Sequence, residues 1–533
     1  MHAALNPAPA EQAAGPASAP SAPGPYPTGG RGIIAPAFTD RPPSRKALLW
    51  VGIVVAAWVC QREWIFAAHA APPLLSVPSD ESLQSDQNGP QDTGPMAYLN
   101  NLYKTDLLMG NMGGLRSGLS KFGISLAIQE TSEVLGNPTG GTSKGAEYDG
   151  LTQVLMQLDT NRAFGWHGGT FNVSALQLHG SNLSADTLQS LQTASGIEGD
   201  RSTRLWELWY QQKFLDEDRL DIKIGQQSLD QDFMVSQNAG YFVNTMFGWP
   251  VVPSYDLPGG GPAYPLSTLG VRIRARPIDP LTVLLGIFTG SPVTHDYGDP
   301  QVMNASGTNF PVHTGALVIG ELQYTYPALG SMIEADVPQP LARTYKLGFW
   351  YDTRNFADRQ FANNGVSLAS PDSSGTPLNH HGNFSIYAVA DQLVWVDPHE
   401  GNRTVNLFAR ATAAPQADRN PIVLGVNAGL TVHEPFQNRG ADTFGIGMGF
   451  AKVGSATAAL DKATTYYTGG YTPVRGSETF AEVTYQYQAT PWLQLQPDIQ
   501  YVFNPGGGLA NPNNPGHSIG NELVLGVRTN ILF

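Results

Sequence analysis

Apolar and polar residues alternate with a period of two over most of this chain, from about Thr105 to Phe533. That spacing sends successive side chains to opposite faces of a β-strand. In Leu269-Gly-Val-Arg-Ile-Arg-Ala-Arg276, one face carries Leu269, Val271, Ile273 and Ala275 and the other Arg272, Arg274 and Arg276. Three arginines on one face require water or counter-charges. In Arg219-Leu-Asp-Ile-Lys-Ile-Gly225, Leu220, Ile222 and Ile224 oppose Asp221 and Lys223. In the segment 204–213, Trp206, Leu208 and Tyr210 oppose Glu207, Trp209, Gln211 and Lys213. Near the end of the chain, Ala481, Val483, Tyr485 and Tyr487 oppose Glu482, Thr484, Gln486 and Gln488. The next segment sets Leu493, Leu495, Ile499, Tyr501 and Phe503 against Gln494, Gln496, Asp498 and Gln500, and Ala489-Thr-Pro491 joins the two as a hairpin.

Such strands suit two architectures. A soluble sandwich turns its polar face to solvent and its apolar face to a shared core. A barrel in lipid places the apolar face outward and the polar face inward, and its sheet must close because hydrocarbon offers backbone groups no partner. Aromatics at the strand ends and loops rich in Gly, Pro and Asn favour the second. The expectation is an all-β fold, a transmembrane antiparallel β-barrel with short periplasmic turns and longer extracellular loops. Composition agrees: 14% of the 533 residues are charged, 41% are hydrophobic, and there are 59 glycines, 20 tyrosines and 22 phenylalanines. A net charge of −14, from 30 Lys and Arg against 44 Asp and Glu, argues against nucleic acid as a partner.

The first part of the chain reads as an address. Residues 1–43 are rich in Pro, Ala, Gly and Ser and are expected to be disordered. Ser44, Arg45 and Lys46 precede an apolar run from Ala47 to Val59, and Ala68-His69-Ala70 precedes Ala71. This is the order of an export signal with cleavage after Ala70, and the run is shorter than the roughly 20 residues of a spanning helix. The domain reading is therefore 1–70 leader and signal, 71–104 periplasmic lead-in, and 105–533 barrel. The single cysteine, Cys60, falls in the signal, so the mature chain has neither a disulfide framework nor a thiolate metal site.

Many segments in order resemble one family. They include Leu107-Leu-Met-Gly-Asn-Met-Gly-Gly-Leu-Arg116, Gly136-Asn-Pro-Thr-Gly-Gly141, Leu158-Asp-Thr-Asn161, Leu205-Trp-Glu-Leu-Trp209 and the stretch 233–247. Lys346-Leu-Gly-Phe-Trp-Tyr-Asp352, Tyr387-Ala-Val-Ala-Asp-Gln392, Phe408-Ala-Arg410, Asp442-Thr-Phe-Gly-Ile446 and Pro505-Gly-Gly-Gly508 continue the series. Together they resemble the carbohydrate-selective porins, of the glucose-inducible outer-membrane type. The resemblance implies a barrel of about 16 strands in the bacterial outer membrane that passes monosaccharides such as glucose, as a monomer or homotrimer. The last strand, ending on Phe533, is similar to the terminal strands that barrel-assembly machinery reads. Sugars, outer-membrane lipid and lipopolysaccharide are the other expected partners.

A pore for neutral sugars needs hydroxyl partners and flat apolar surfaces for the pyranose ring. Arg272, Arg274 and Arg276 are the first candidates for the pore lining, as a ladder along one strand, with Glu207, Trp209, Lys213, Asp221 and Lys223 behind them; the guanidinium's fork of donors suits adjacent hydroxyls. The bland reading is that every wet lumen is polar. No catalytic residue, cofactor or metal is expected. Gly445-Ile-Gly-Met-Gly449 lies in an alternating strand without the spacing of a dinucleotide loop, and His399-Glu400 and His433-Glu434 lack two-histidine metal spacing. Asp296, Asp299 and Asp418 are loop acids that could bridge divalent ions to lipopolysaccharide, solvated loop being the simpler reading. The competing functions are a general porin, a non-transporting barrel adhesin and a secreted all-β glycoside hydrolase, for which no local motif supplies a carboxylate pair.

Overall fold

The structure, a computed structural model, describes residues 105–295, 298–327, 342–398 and 403–533. The leader, the signal with its cleavage after Ala70, the lead-in, Asp296 and His399-Glu400 lie outside the described residues.

Sixteen antiparallel strands close into a barrel. They are β1 (Ile124–Thr139), β2 (Ala146–Asp159), β3 (Gly169–Gly180), β4 (Ser202–Phe214), β5 (Leu220–Gln227), β6 (Thr268–Ile278), β7 (Leu281–Thr289) and β8 (Ala316–Tyr326). The second half comprises β9 (Arg343–Ala362), β10 (Pro377–Val396), β11 (Thr404–Ala413), β12 (Ile422–His433), β13 (Thr443–Val453), β14 (Ser477–Thr490), β15 (Leu493–Phe503) and β18 (Glu522–Leu532). A small ribbon, β16 (Ala510–Asn511) and β17 (Asn514–Ser518), sits in the loop before β18. Each strand pairs with its sequence neighbour, and β18 returns to β1 with Glu133 opposite Arg528. The end of the chain is fastened at this seam: Leu108 N donates to Leu532 O at 2.8 Å and Phe533 N to Ile128 O at 3.0 Å.

The meander sorts its connections onto two rims. Residues 215–219, 279–280 and 491–492 turn at one, and the loops 181–201, 228–267, 290–315, 454–476 and 504–521 gather at the other. Alternation sets the faces as expected. Val271, Ile273, Leu285, Ile287, Leu347 and Ile386 project outward, exposed, while Arg272, Leu284, Trp350, Ser385, Glu482 and Gln500 point inward and are buried. Outward aromatics mark the band edges, with Phe171, Tyr345 and Tyr487 toward the short-turn rim and Tyr351, Phe384 and Phe503 toward the other.

One face assignment is corrected. Trp206 does not join Leu208 and Tyr210 on the outer face. Ser174 pairs with Glu207 and Ala175 with Leu205, so Trp206 is the extra residue of a bulge, which shifts the alternation of β4. Its ring is 5% exposed and packs inside against Leu151, Leu176, Leu178 and Ile197.

The loop 228–267 folds into the lumen instead of standing in solvent. Its Phe233, Phe242, Met246, Phe247 and Val252 pack against the inward Trp350, Tyr387, Phe408 and Phe480, so the barrel encloses an apolar core of its own. The glycines of β13 make room for it: a Cβ on Gly445 would lie 2.9 Å from the Phe242 ring, and one on Gly447 2.6 Å from Phe247. The Gly-x-Gly-x-Gly pattern thus serves close packing of the loop on the wall.

Leu285 lies midway along β7 and faces outward. Leu285→Arg is expected to lower barrel stability by about 2–4 kcal/mol, the cost of a cation at the midplane of the lipid face. Urea unfolding in lipid vesicles measures this; the same change at the lumen-side Asn406 should cost far less.

Candidate functional site

Inward wall residues and the inserted loop together build the lumen, and many of the wall's charged groups hold loop backbone. Arg410 Nη1 donates to Met234 O at 2.9 Å and to Gly248 O at 2.8 Å, and its Nη2 donates to Met246 O. Asp391 Oδ1 accepts from Ser236 Oγ at 2.7 Å and Asn238 N at 3.2 Å. Glu482 accepts from Val243 N at 2.6 Å and Asn244 N at 3.1 Å, and Glu321 from Met234 N at 2.8 Å. A second loop is held the same way, with Glu478 accepting from Leu191 N and Gln192 N, both at 2.7 Å. The sequence reading named none of these as site residues. Alternation puts them on the polar face but does not tell a side chain that meets water from one that meets a loop.

The residues nominated from the sequence gather on β4, β5 and β6. Glu207, Trp209 and Lys223 line one cavity of about 170 Å³, with Gln153, Asn172 and Gln231. Lys223 Nζ lies 2.6 Å from Asp232 Oδ2 and 4.8 Å from the centre of the Trp209 ring. Glu207 Oε1 accepts from Ser228 N at 3.1 Å, which ties the wall to the start of the inserted loop.

The three arginines of β6 do form one row, at three different environments. Arg272 is 2% exposed in its side chain, ion-paired to Asp221 and 3.5 Å from Asp232 Oδ1. Arg274 pairs with Asp221 Oδ2 at 2.6 Å but keeps 44% of its side chain exposed to the lumen. Arg276 donates to Glu217 O at 2.9 Å near the short-turn rim, where Lys213 also pairs with Asp218 at 2.9 Å. The register places Asp221 opposite Arg274 but sets Lys223 opposite Arg272, and the loop's Asp232 supplies the counter-charge to that pair of cations.

Other candidates have local partners. Asp299 caps the helix Pro300–Met303 through Gln301 N at 2.8 Å, and Asp418 pairs with Arg419 at 3.0 Å. His433 ends β12 with Nδ1 3.0 Å from Thr443 Oγ1. Among the described residues no group of three or more His, Cys, Asp or Glu is placed to hold a metal ion.

Two outcomes follow from these contacts. Arg410→Ala removes a charged donor shared among three loop carbonyls; hydrogen bonds to charged groups are worth about 1.5–3 kcal/mol. The loop should loosen, seen as higher and noisier single-channel conductance and as faster proteolysis within 228–267. Asp232, on the loop, supplies a pH dependence. Burial pushes its carboxyl up, but Lys223 and Arg272 outweigh burial and hold it at about 2, below the usual 3.8. A depressed carboxylate stabilises fully above its unfolded value, so about 2 kcal/mol should be lost as pH falls from about 4 toward 2. Thermal melts across that window should show the loss, and Asp232→Asn should flatten it.

Comparison with known proteins agrees with this architecture. Residues 143–533 match the model of the carbohydrate-selective porin, OprB family. Porin B of Pseudomonas aeruginosa is 24% identical over 453 residues, covering 80% of this chain and 91% of that protein. The putative porin QuiX of Acinetobacter baylyi is 23% identical over 446 residues, covering 77% of this chain and 92% of its own. The high-pH structure of Pseudomonas putida OprB shares the fold with a TM-score of 0.69 at 24% identity, covering 80% of this chain and 98% of that one. A wall of sixteen strands closed into a barrel, matched by the family model over residues 143–533, makes this chain a member of the OprB family of carbohydrate-selective porins of the bacterial outer membrane.

Proposed function

We propose that this porin gives passive, selective diffusion to monosaccharides of the glucose type, and that the wall of β4, β5 and β6 forms their path. The observation that carries the reading is the cavity shared by Glu207, Trp209 and Lys223 beneath the inserted loop. Hydroxyl partners and an aromatic ring lie there together, the complements of a pyranose's hydroxyls and its CH faces. Arg274, half in the lumen and held by Asp221, adds a fixed fork of donors. Arg272 lies behind it and sets the position of Asp221 and Asp232. Because each cation has an acid beside it, the path offers hydrogen bonds with little net field, which suits neutral solutes. Contacts of this kind must stay weak, since a site that holds its solute stops flux.

Planar-bilayer conductance of the mature chain from Ala71, with glucose titrated against the ion current, tests this. Saturable block by glucose is the expected result, and steps indifferent to sugars would reduce the protein to a general porin. Arg274→Gln should weaken glucose block by about tenfold, the loss of one hydrogen bond to a charged group. Arg276→Gln, at the rim, should leave the block nearly unchanged.

A further inference from the structure

A second cavity, of about 530 Å³, opens among the long loops, and none of its lining residues is shared with the cavity at Glu207. It lies between the loop 181–201, Tyr255 of the inserted loop, the end of β9, and the loops 454–476 and 504–521. Its lining holds two arginines, Arg359 and Arg475, and no aspartate or glutamate. In a chain of net charge −14, that sign is unexpected.

The two arginines are not equivalent. Arg475 is engaged by Asp461, with Nη2 to Oδ1 at 2.7 Å and Nε to Oδ2 at 3.0 Å. Arg359 uses its main-chain N–H, which donates to Asp418 O at 2.7 Å. Among the described residues its guanidinium has no hydrogen-bond acceptor, no carboxylate within ion-pair distance and no aromatic ring against it. The carboxyl of Asp256 acts on it from a distance. That group is buried, accepts from Ile422 N at 3.3 Å and is pushed well above the usual carboxylate range by burial, and it makes no ion pair with the guanidinium. Around Arg359 the cavity offers hydroxyls and amides from Asn182, Thr193, Tyr255 and Thr457, with Ile422 and Leu509 as apolar surface.

We propose that this vestibule receives an anionic carbohydrate, a sugar acid whose carboxylate pairs with Arg359 while its hydroxyls meet the polar lining. The guanidinium fork matches a carboxylate bidentately. One guanidinium without an ion-pair partner suits one carboxylate, and the cavity, about 530 Å³, is larger than a small inorganic anion fills. The site extends the sugar-channel reading above, on which it rests, by adding charged sugars to the solutes captured at the mouth.

The test uses the mature chain in planar bilayers, with glucuronate, glucose and acetate each added on the long-loop side. Glucuronate should reduce the current at about one tenth of the glucose concentration, the gain of a charge-assisted bond. Arg359→Gln should abolish that advantage and leave glucose block as it was, and Arg359→Lys should retain part of it. Raising the salt on the native chain should erode the glucuronate advantage alone, which keeps the test open if the variants do not fold. The proposal is overturned if glucuronate and glucose block equally in the native chain, or if acetate competes as well as glucuronate. It also fails if Arg359→Gln weakens both sugars alike. Glucose block without a glucuronate advantage sinks only the vestibule, whereas glucuronate block dependent on Arg359 without any glucose block sinks the neutral-sugar path and upholds the vestibule.

Discussion

A backbone N–H or C=O in hydrocarbon has no water to turn to, so a sheet that crosses a membrane must pair every strand on both sides. In this porin the requirement is met at the seam between β1 and β18, from Gln129 opposite Leu532 to Thr139 opposite Leu523. The seam carries its own reinforcement on the inner face, where Arg528 Nη2 lies 2.6 Å from Glu133 Oε1. Closure then dictates the rest. An even number of strands returns both ends of the barrel to one rim, and one face of every strand is committed to lipid and the other to the lumen.

The inner face does two different jobs. On β7 to β15 it is partly apolar and receives the loop 228–267 as a packed core, while Arg410, Asp391, Glu482 and Glu321 bind that loop's main chain. A buried charge is tolerated where hydrogen bonds replace its water, and here loop peptide groups replace it. On β4 to β6 the charges pair with one another and with the loop's Asp232, and Arg274 keeps 44% of its side chain exposed.

Reading faces from the sequence succeeded wherever the period of two ran unbroken. Val271, Ile273, Val483 and Ile499 point outward as the alternation requires. It failed at Trp206, because a bulge adds a residue without leaving a mark in the polarity pattern. The arginines of β6 were legible as a row, but their environments were not. Arg272, Arg274 and Arg276 look alike in the sequence and differ in what the neighbouring strand and loop bring to them. Arg410 and Glu482 were invisible as anchors for the same reason, since their partners lie 176 and 239 positions away in the chain.

Side-chain direction along an extended strand is a local property, so the sequence alone determined the all-β class, the two opposed face sets apart from the bulged Trp206, and the acid and base residues available to the pore. Which of those residues meets water, which holds a loop and which is cancelled by a counter-charge depends on register between strands and on where a distant loop comes to rest. Those are contacts between segments far apart in the chain, and only the closed, plugged barrel decides them.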